Sequence, residues 1–172
     1  YLPDSLPAIE GSRIRSWIGR PLSDVAVGVL GHLLDDEFPR TDLERLVRDA
    51  IDFPAPVVPV EDGLHVLELF HGPTLAFKDF GARCLARVFG YLLGERDETA
   101  TVLVATSGDT GSAVAQGFSG VPHVRTIVLY PAGKVTPFQE AQMATVGGNV
   151  QAVRVPGSFD DCQRLVKRVF LD

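Results

Sequence analysis

The second half of the chain alternates between short apolar runs and longer amphipathic patterns. The short runs predict buried strands over Thr101–Ala105, Arg125–Tyr130 and Val150–Val155. Apolar residues at helical spacing predict helices over Thr110–Phe118, Pro137–Val146 and Phe159–Phe170. Strand–helix alternation of this kind is typical of a parallel sheet with helices on its faces, so we predict an α/β fold.

Two of the predicted helices carry start signals. Thr136, Pro137 and Gln139 combine an N-cap, a first-turn proline and a capping-box partner. Ser158 with Asp161 repeats the capping pattern before the last helix. We therefore expect capping boxes at the starts of both helices.

The first 60 residues predict helices joined by proline-rich connections. We expect Ser23 to cap one helix, and Thr41 with Glu44 to form a capping box before another. The prolines within residues 54–59 predict an extended linker. A strand is then predicted over Leu64–Phe70.

Lys78 follows this strand, after a turn marked by Gly72 and Pro73, at the start of a helix predicted to end near Leu93. Junctions between strands and helices are where α/β proteins usually place ligands. Because the neighbours of Lys78 are apolar, its amine is partly desolvated, which favours the neutral nucleophile of Schiff-base chemistry. The alternative is a solvated lysine whose aliphatic stem lies along the surface.

A second candidate site joins the strand Thr101–Ala105 to its helix through the loop Ala105–Gly111, with the sequence ATSGDTG. Small residues let backbone N–H groups approach a ligand closely, and the helix N-terminus favours an anion. The loop lacks the P-loop and dinucleotide-binding glycine patterns, which disfavours ATP and NAD. The alternative is a capped turn with Asp109 as the N-cap.

A third junction, Leu129–Pro137, contains Lys134. Most lysines are solvated surface groups, and this one is interpreted in the same way. The alternative is that Lys134 helps to close a cleft over a charged substrate.

Composition and charge exclude several classes of function. The chain has 172 residues, enough for one domain with a core or two small ones. Its net charge of −6, without an evident basic patch, argues against nucleic acid as a partner. No apolar run approaches the roughly 20 residues of a membrane helix, and no signal-peptide pattern is present. We expect a cytoplasmic protein that binds neither nucleic acid nor membranes.

Cysteine and histidine positions indicate neither disulfides nor a metal site. Cys84 and Cys162 fall within helical patterns, and buried free thiols fit a reducing compartment. The four histidines lack metal-ligand spacing with each other or with cysteine, so we predict no metal.

The two ends suggest part of a longer protein. The chain begins at Tyr1 rather than at methionine, and Asp172 falls inside an amphipathic helical pattern without a stop signal.

Four segments, in one order, resemble the threonine synthases, a family of pyridoxal-phosphate enzymes with the tryptophan-synthase-β-like fold, also called fold type II. The segments are His71–Phe80 (HGPTLAFKDF), Ala105–Gly111, Leu129–Pro137 (LYPAGKVTP) with Gln139 and Glu140, and Gly157–Cys162 (GSFDDC). The resemblance covers roughly residues 60–172. It implies a parallel open sheet with flanking helices, in truncated form. Residues 1–98 would hold the helical part, the first strand and the helix of Lys78. Residues 99–155 would form a small mobile domain, and residues 156–172 would begin the return to a larger domain.

The resemblance also implies the chemistry. Lys78 would hold pyridoxal phosphate as a Schiff base and then move protons while O-phospho-L-homoserine and water become L-threonine and phosphate. Substrate anionic groups would bind to Thr106, Ser107, Gly108 and Thr110. Asp109 replaces an asparagine that in many relatives faces the cofactor ring oxygen. Since an ionised carboxylate would repel that oxygen, Asp109 would either carry a proton or turn away to cap the helix.

Three parts of the family's site are not expected within these residues: the loop for the cofactor phosphate, the partner of the pyridine nitrogen, and an arginine for substrate phosphate. The chain alone is therefore expected to be inactive, and the whole enzyme to be a monomer or homodimer. Two alternatives to the threonine synthase function stay open. One is another lyase of this fold, such as a threonine or serine dehydratase or a β-replacing enzyme, and the other is a non-catalytic binding module.

Overall fold

A computed structural model describes residues 8–34 and 37–171. The predicted helical character of residues 1–7, 35 and 36, and the pattern at Asp172, lie outside these ranges. The first described elements are three helices, α1 (Gly11–Ser16), α2 (Leu22–Leu33) and α3 (Arg40–Ala50). Leu43, Val47 and Ala50 of α3 form a buried cluster to which α2 contributes its apolar side chains.

The predicted caps of α2 and α3 are wrong. The N-caps are Pro21 and Pro39, neither helix start has a side-chain cap, and Ser23 and Thr41 lie inside the first turns. Proline suits this end of a helix because its φ is already close to helical and its missing N–H would have no helical acceptor there.

The proline-rich segment predicted as a linker contains a strand instead. Strand β1 (Val57–Glu61) pairs antiparallel with β2 (Leu64–Leu67) in an isolated hairpin. The predicted strand Leu64–Phe70 is therefore three residues too long and lies outside the parallel sheet. The missed signal is Asp62-Gly63, a preferred two-residue hairpin turn.

The predicted parallel sheet is confirmed. Its strands, in the order β3 (Ala100–Ala105), β4 (Val124–Pro131) and β5 (Val150–Val155), are all parallel. Helices α5 (Asp109–Phe118), α6 (Pro137–Ala144) and α7 (Phe159–Val169) alternate with them. The predicted boundaries agree within two residues, and both predicted capping boxes are present. The three strands lie within residues 99–155, and the proposed division into domains stays a prediction.

Alternate side chains of β4 point to opposite faces of the sheet, as strand geometry requires. Val128 and Tyr130 pack with Ala115 of α5 and Met143 of α6. The other face packs against α7, where Leu129 contacts the cluster around Cys162.

Helix α4 (Lys78–Arg96) lies outside α5, and Ala86 of α4 and Phe118 of α5 belong to one buried cluster. The layers therefore run α4, α5 with α6, sheet, α7. Within the described ranges, no helix has the length and apolar character to span a membrane.

Candidate active site

Lys78 is the first residue of α4 and is half-buried. Its Nζ lies 4.5 Å from the centroid of the Phe77 ring, so the aromatic face contacts the ammonium group. Lys134 and Lys167 are exposed, as most lysines are. Lys78 is therefore the lysine with the most restricted surroundings.

The turn before Lys78 is organised by a buried carboxylate. Asp79 is 0% exposed, and its Oδ2 accepts from the Thr74 backbone N–H (2.9 Å) while Oδ1 accepts from the Thr74 hydroxyl (2.6 Å). A Cβ at Gly72 would lie 2.5 Å from Asp79 Oδ2, so only glycine fits against the carboxylate. Leu75, inside the turn, adopts a φ of 61°, a conformation uncommon for any residue other than glycine. The carboxylate thus fixes the path of the chain into α4.

Thr106 shapes the loop between β3 and α5 from inside. The residue is 1% exposed, and its hydroxyl accepts from the N–H groups of Gly108 (3.0 Å) and Gly111 (2.8 Å) and donates to the Gly108 carbonyl (3.1 Å). A hydroxyl has one hydrogen and two lone pairs, so its capacity is used within the loop. Gly108 adopts a φ of 151°, which favours glycine, and a Cβ there would lie 2.5 Å from Gln139 Nε2.

Ser107 and Thr110 instead face outward. Both are exposed, and in the part of the chain that the structure describes, their hydroxyls contact no partner. The first backbone hydrogen bonds of α5 are donated by Gly111 and Ser112 to the Gly108 carbonyl (3.0 and 3.2 Å). Among the described residues, the N–H groups of Asp109 and Thr110 have no acceptor and lie at the positive end of the helix dipole, an arrangement that favours an anion.

Asp109 does not cap α5. The N-cap is Gly108, and Asp109 is the first helical residue. Its Oδ1 accepts a hydrogen bond from Gln139 Nε2 on α6 (2.7 Å). The capping alternative is thus wrong, and the carboxylate is held by a neutral amide donor.

Helices α4 and α5 pack closely where each has a glycine. A Cβ at Gly117, in the last turn of α5, would lie 3.1 Å from the backbone of Ala82 on α4. A Cβ at Gly90 of α4 would lie 2.5 Å from the side chain of Val121, which follows α5. The chain that leaves α5 therefore runs along α4 towards the C-terminal end of that helix.

Helix α6 connects the two segments directly. Gln142 Nε2 donates to the Thr74 carbonyl in the turn before Lys78 (3.2 Å), and Gln139, one turn away on α6, holds Asp109. The α6 helix therefore carries one donor for each segment.

Tyr130 ties α6 to the sheet, because its hydroxyl donates to Glu140 Oε1 (2.9 Å). Burial, together with this hydrogen bond to a carboxylate, raises the pKa of Tyr130. The phenol therefore stays protonated and remains a donor.

Sequence reasoning missed three of these positioning groups. Asp79 directly follows Lys78 and bonds to Thr74. It was missed because acidic residues are common in the first turn of any helix. Gln139 is recognisable in the sequence as a capping-box partner and as part of the family resemblance, and it fills the capping role while also holding Asp109. Gln142 carries no sequence signal, because its partner is a backbone carbonyl 68 residues away.

Comparison with known proteins places the chain in a family. Residues 54–172 match the family described as pyridoxal-phosphate dependent enzyme. The whole chain is 45% identical to threonine synthase of Escherichia coli (strain K12) and 44% identical to that of Haemophilus influenzae, and covers 40% of each. The chain belongs to the family of pyridoxal-phosphate dependent enzymes.

Solved structures agree with this assignment. The pyridoxal-phosphate-bound threonine synthase from Brucella melitensis superposes with a TM-score of 0.94 at 43% identity, over 100% of this chain and 38% of that one. Yeast threonine synthase gives a TM-score of 0.91 at 36% identity, over 99% and 38%. The predicted fold class is therefore confirmed, and the chain spans about 40% of the relatives it matches.

Proposed function

We propose that the intact protein containing this chain is a threonine synthase, which converts O-phospho-L-homoserine and water to L-threonine and phosphate. The observation that carries the proposal is a half-buried lysine and a helix end with exposed hydroxyls, in two segments that are both hydrogen-bonded to α6. Full coverage of this chain by proteins named threonine synthase, at 36–45% identity, supports the choice of substrate.

The residues present suit the family's cofactor. Pyridoxal phosphate is an anionic ring compound that carries an aldehyde. The site offers groups that match it, namely a primary amine with restricted motion, an adjacent aromatic face, and N–H and hydroxyl donors. Lys78 would hold the cofactor covalently, and Asp109 would lie near its ring. When bound, pyridoxal phosphate supplies an electron sink for carbanions formed on the substrate.

Lys78 Nζ moves protons in this proposal. With the cofactor and substrate bound, the free amine of Lys78 would act alternately as base and acid at Cα and Cβ of the substrate. Partial burial and the Phe77 ring limit the directions in which the amine can point. Such restriction is what proton transfer between fixed atoms requires.

The loop Thr106–Thr110 binds an anionic group of the substrate, its carboxylate or its phosphate. Ser107 and Thr110 donate through exposed hydroxyls, Gly108 allows a close backbone approach, and the free N–H groups of α5 add to the positive field. Thr106 contributes by holding the loop shape, because its own hydroxyl is fully used.

Turnover of the intact protein tests the proposal. With O-phospho-L-homoserine, phosphate and L-threonine should appear in equal amounts. Lys78→Ala should lower kcat by at least about a hundredfold, the contribution typical of general acid–base catalysis. Lys167→Ala, an exposed control on α7, should behave as the unmodified protein.

Two further outcomes distinguish the alternatives. The 172-residue chain alone should show no turnover. Release of ammonia and a 2-oxo acid in place of threonine would indicate a dehydratase instead.

A further inference from the structure

We propose that Asp79 is a positioning residue for Lys78, acting through a paired hydrogen bond to Thr74 that we call the Thr74–Asp79 clamp. The inference rests on the proposed function of Lys78 and adds a residue that the reaction itself does not use. It concerns where the lysine is held, and no contact between Asp79 and cofactor or substrate is involved.

The clamp closes a short loop that contains the lysine. Two hydrogen bonds, from the Thr74 N–H (2.9 Å) and hydroxyl (2.6 Å), end on the two oxygens of one carboxylate. Lys78 lies between the clamped residues in sequence, so its backbone cannot move independently of them. A second closure comes from the Asp79 N–H, which donates to the Ala76 carbonyl (3.1 Å).

The surroundings of the clamp leave it little freedom. Thr74 is 5% exposed and Asp79 is 0% exposed. The space beside Asp79 Oδ2 is filled by the Gly72 backbone, since a Cβ there would lie 2.5 Å from the oxygen. On the other side, Gln142 Nε2 holds the Thr74 carbonyl from α6 (3.2 Å). A buried carboxylate is costly unless it is satisfied, and here both oxygens are satisfied by the threonine of the turn before the lysine.

Helix stabilisation alone would explain an acidic residue near this end of α4, since carboxylates favour helix N-termini. It does not explain why both carboxylate oxygens turn inward to one threonine. Asp160 provides the comparison: it is also the second residue of its helix, α7, but is exposed. A matched pair of substitutions, Asp79→Asn and Asp160→Asn, therefore separates the clamp from the dipole.

The experiment uses the intact protein with Thr74→Val, Thr74→Ser, Asp79→Asn and the control Asp160→Asn. Thr74→Val removes the hydroxyl but keeps the shape, whereas Thr74→Ser keeps the hydroxyl. Two quantities are measured: kcat per cofactor-loaded site with KM, and the rate at which cofactor-free protein acquires borohydride-fixable pyridoxal phosphate. The second readout reports the placement of Lys78 without any turnover.

Thr74→Val and Asp79→Asn should lower kcat per loaded site by about tenfold to a hundredfold, because small misplacements of a reacting group have effects of that order. KM should change little, since the Thr106–Thr110 loop is intact. Both variants should load cofactor more slowly, and Thr74→Ser and Asp160→Asn should match the unmodified protein. If Asp79→Asn does not fold, the Thr74 pair decides.

Three contrary results would each overturn the clamp inference, for different reasons. If Thr74→Val loads and turns over normally per site while Lys78→Ala is inactive, the clamp does not position the lysine and this inference is overturned alone. If Lys78→Ala itself keeps full turnover, the proposed function of Lys78 fails and the clamp inference fails with it. An equal loss of kcat per loaded site in Thr74→Val and Thr74→Ser would also overturn the clamp inference, because the hydroxyl of Thr74 would then be irrelevant.

Discussion

At the residue scale, the hydroxyl-bearing side chains of the loop after β3 divide into two kinds. Thr106 is buried and saturated by hydrogen bonds within the loop, whereas Ser107 and Thr110 are exposed. The sequence identifies this loop as a candidate site through its small residues and its position before a helix. It cannot separate Thr106 from Thr110, because burial depends on how the loop folds back over the end of β3.

Substitution of Thr110 tests the assignment of donors. Thr110→Val keeps the shape and removes the hydroxyl that is proposed to donate to the substrate anion, a hydrogen bond worth about 1.5–3 kcal/mol. In the intact protein, kcat/KM for O-phospho-L-homoserine should fall by roughly tenfold to a hundredfold. The cofactor absorbance should hardly change, since Lys78 is unaltered.

Thr101→Val is the matched control, because Thr101 is also exposed but lies at the other end of β3. It should leave kcat/KM unchanged. An unaltered kcat/KM in Thr110→Val would give the loop a purely structural role and remove Thr110 from the site.

At the element scale, the sequence predicts the parallel sheet and two helix starts correctly and misses a hairpin and two other helix starts. Capping boxes at α6 and α7 are predictable because their partners lie three residues apart. The hairpin of β1 and β2 has a local signal in its Asp62-Gly63 turn, but the prolines within residues 54–59 favour a linker instead. The helix starts at Pro21 and Pro39 differ from the prediction because proline, rather than a hydroxyl residue, occupies the N-cap.

The capping box of α7 predicts a pH dependence. The Ser158 backbone N–H and then its hydroxyl, with a further contribution from Arg164, lower the pKa of Asp161 below its ordinary value of 3.8. A lowered folded-state pKa means that the stabilisation is present above 3.8 and is lost as the pH falls through the lowered value. Asp161→Asn should therefore lower the Tm at neutral pH, and the difference should shrink in acid.

Thermal unfolding of both proteins, followed from neutral pH to below 3.8, measures this difference. In a Ser158→Ala background, the dependence on pH should be smaller, because one of the groups that lower the Asp161 pKa is gone. A Tm difference that is constant down to the most acid sample would show that ionised Asp161 contributes nothing to the helix start.

At the scale of the whole molecule, packing brings two sequence motifs, separated by α4 and β3, within hydrogen-bonding reach of one helix, α6. Both motifs and the α/β class are readable in the sequence, and the comparisons confirm that class. The meeting of the motifs depends on α5 lying between α4 and the sheet and on α6 bridging both segments. Neither feature is visible in periodicity, because each depends on packing between distant elements.

The exposed apolar hairpin is also a feature of the whole molecule. Val57 and Val60 are each 61% exposed and Leu67 is 54% exposed, so the hairpin presents apolar side chains to water. The chain spans about 40% of the length of its matched relatives. Catalysis is therefore proposed for the intact protein, in which Lys78 would carry the cofactor.

Borohydride reduction followed by peptide mapping tests that claim most directly. The intact protein, loaded with pyridoxal phosphate, is reduced so that any imine to a lysine becomes a stable secondary amine. We predict a cofactor label on Lys78, with Lys134 and Lys167 unlabelled because both are exposed and solvated. A label confined to Lys134 or Lys167, or no label in a protein that turns over substrate, would contradict the assignment of Lys78.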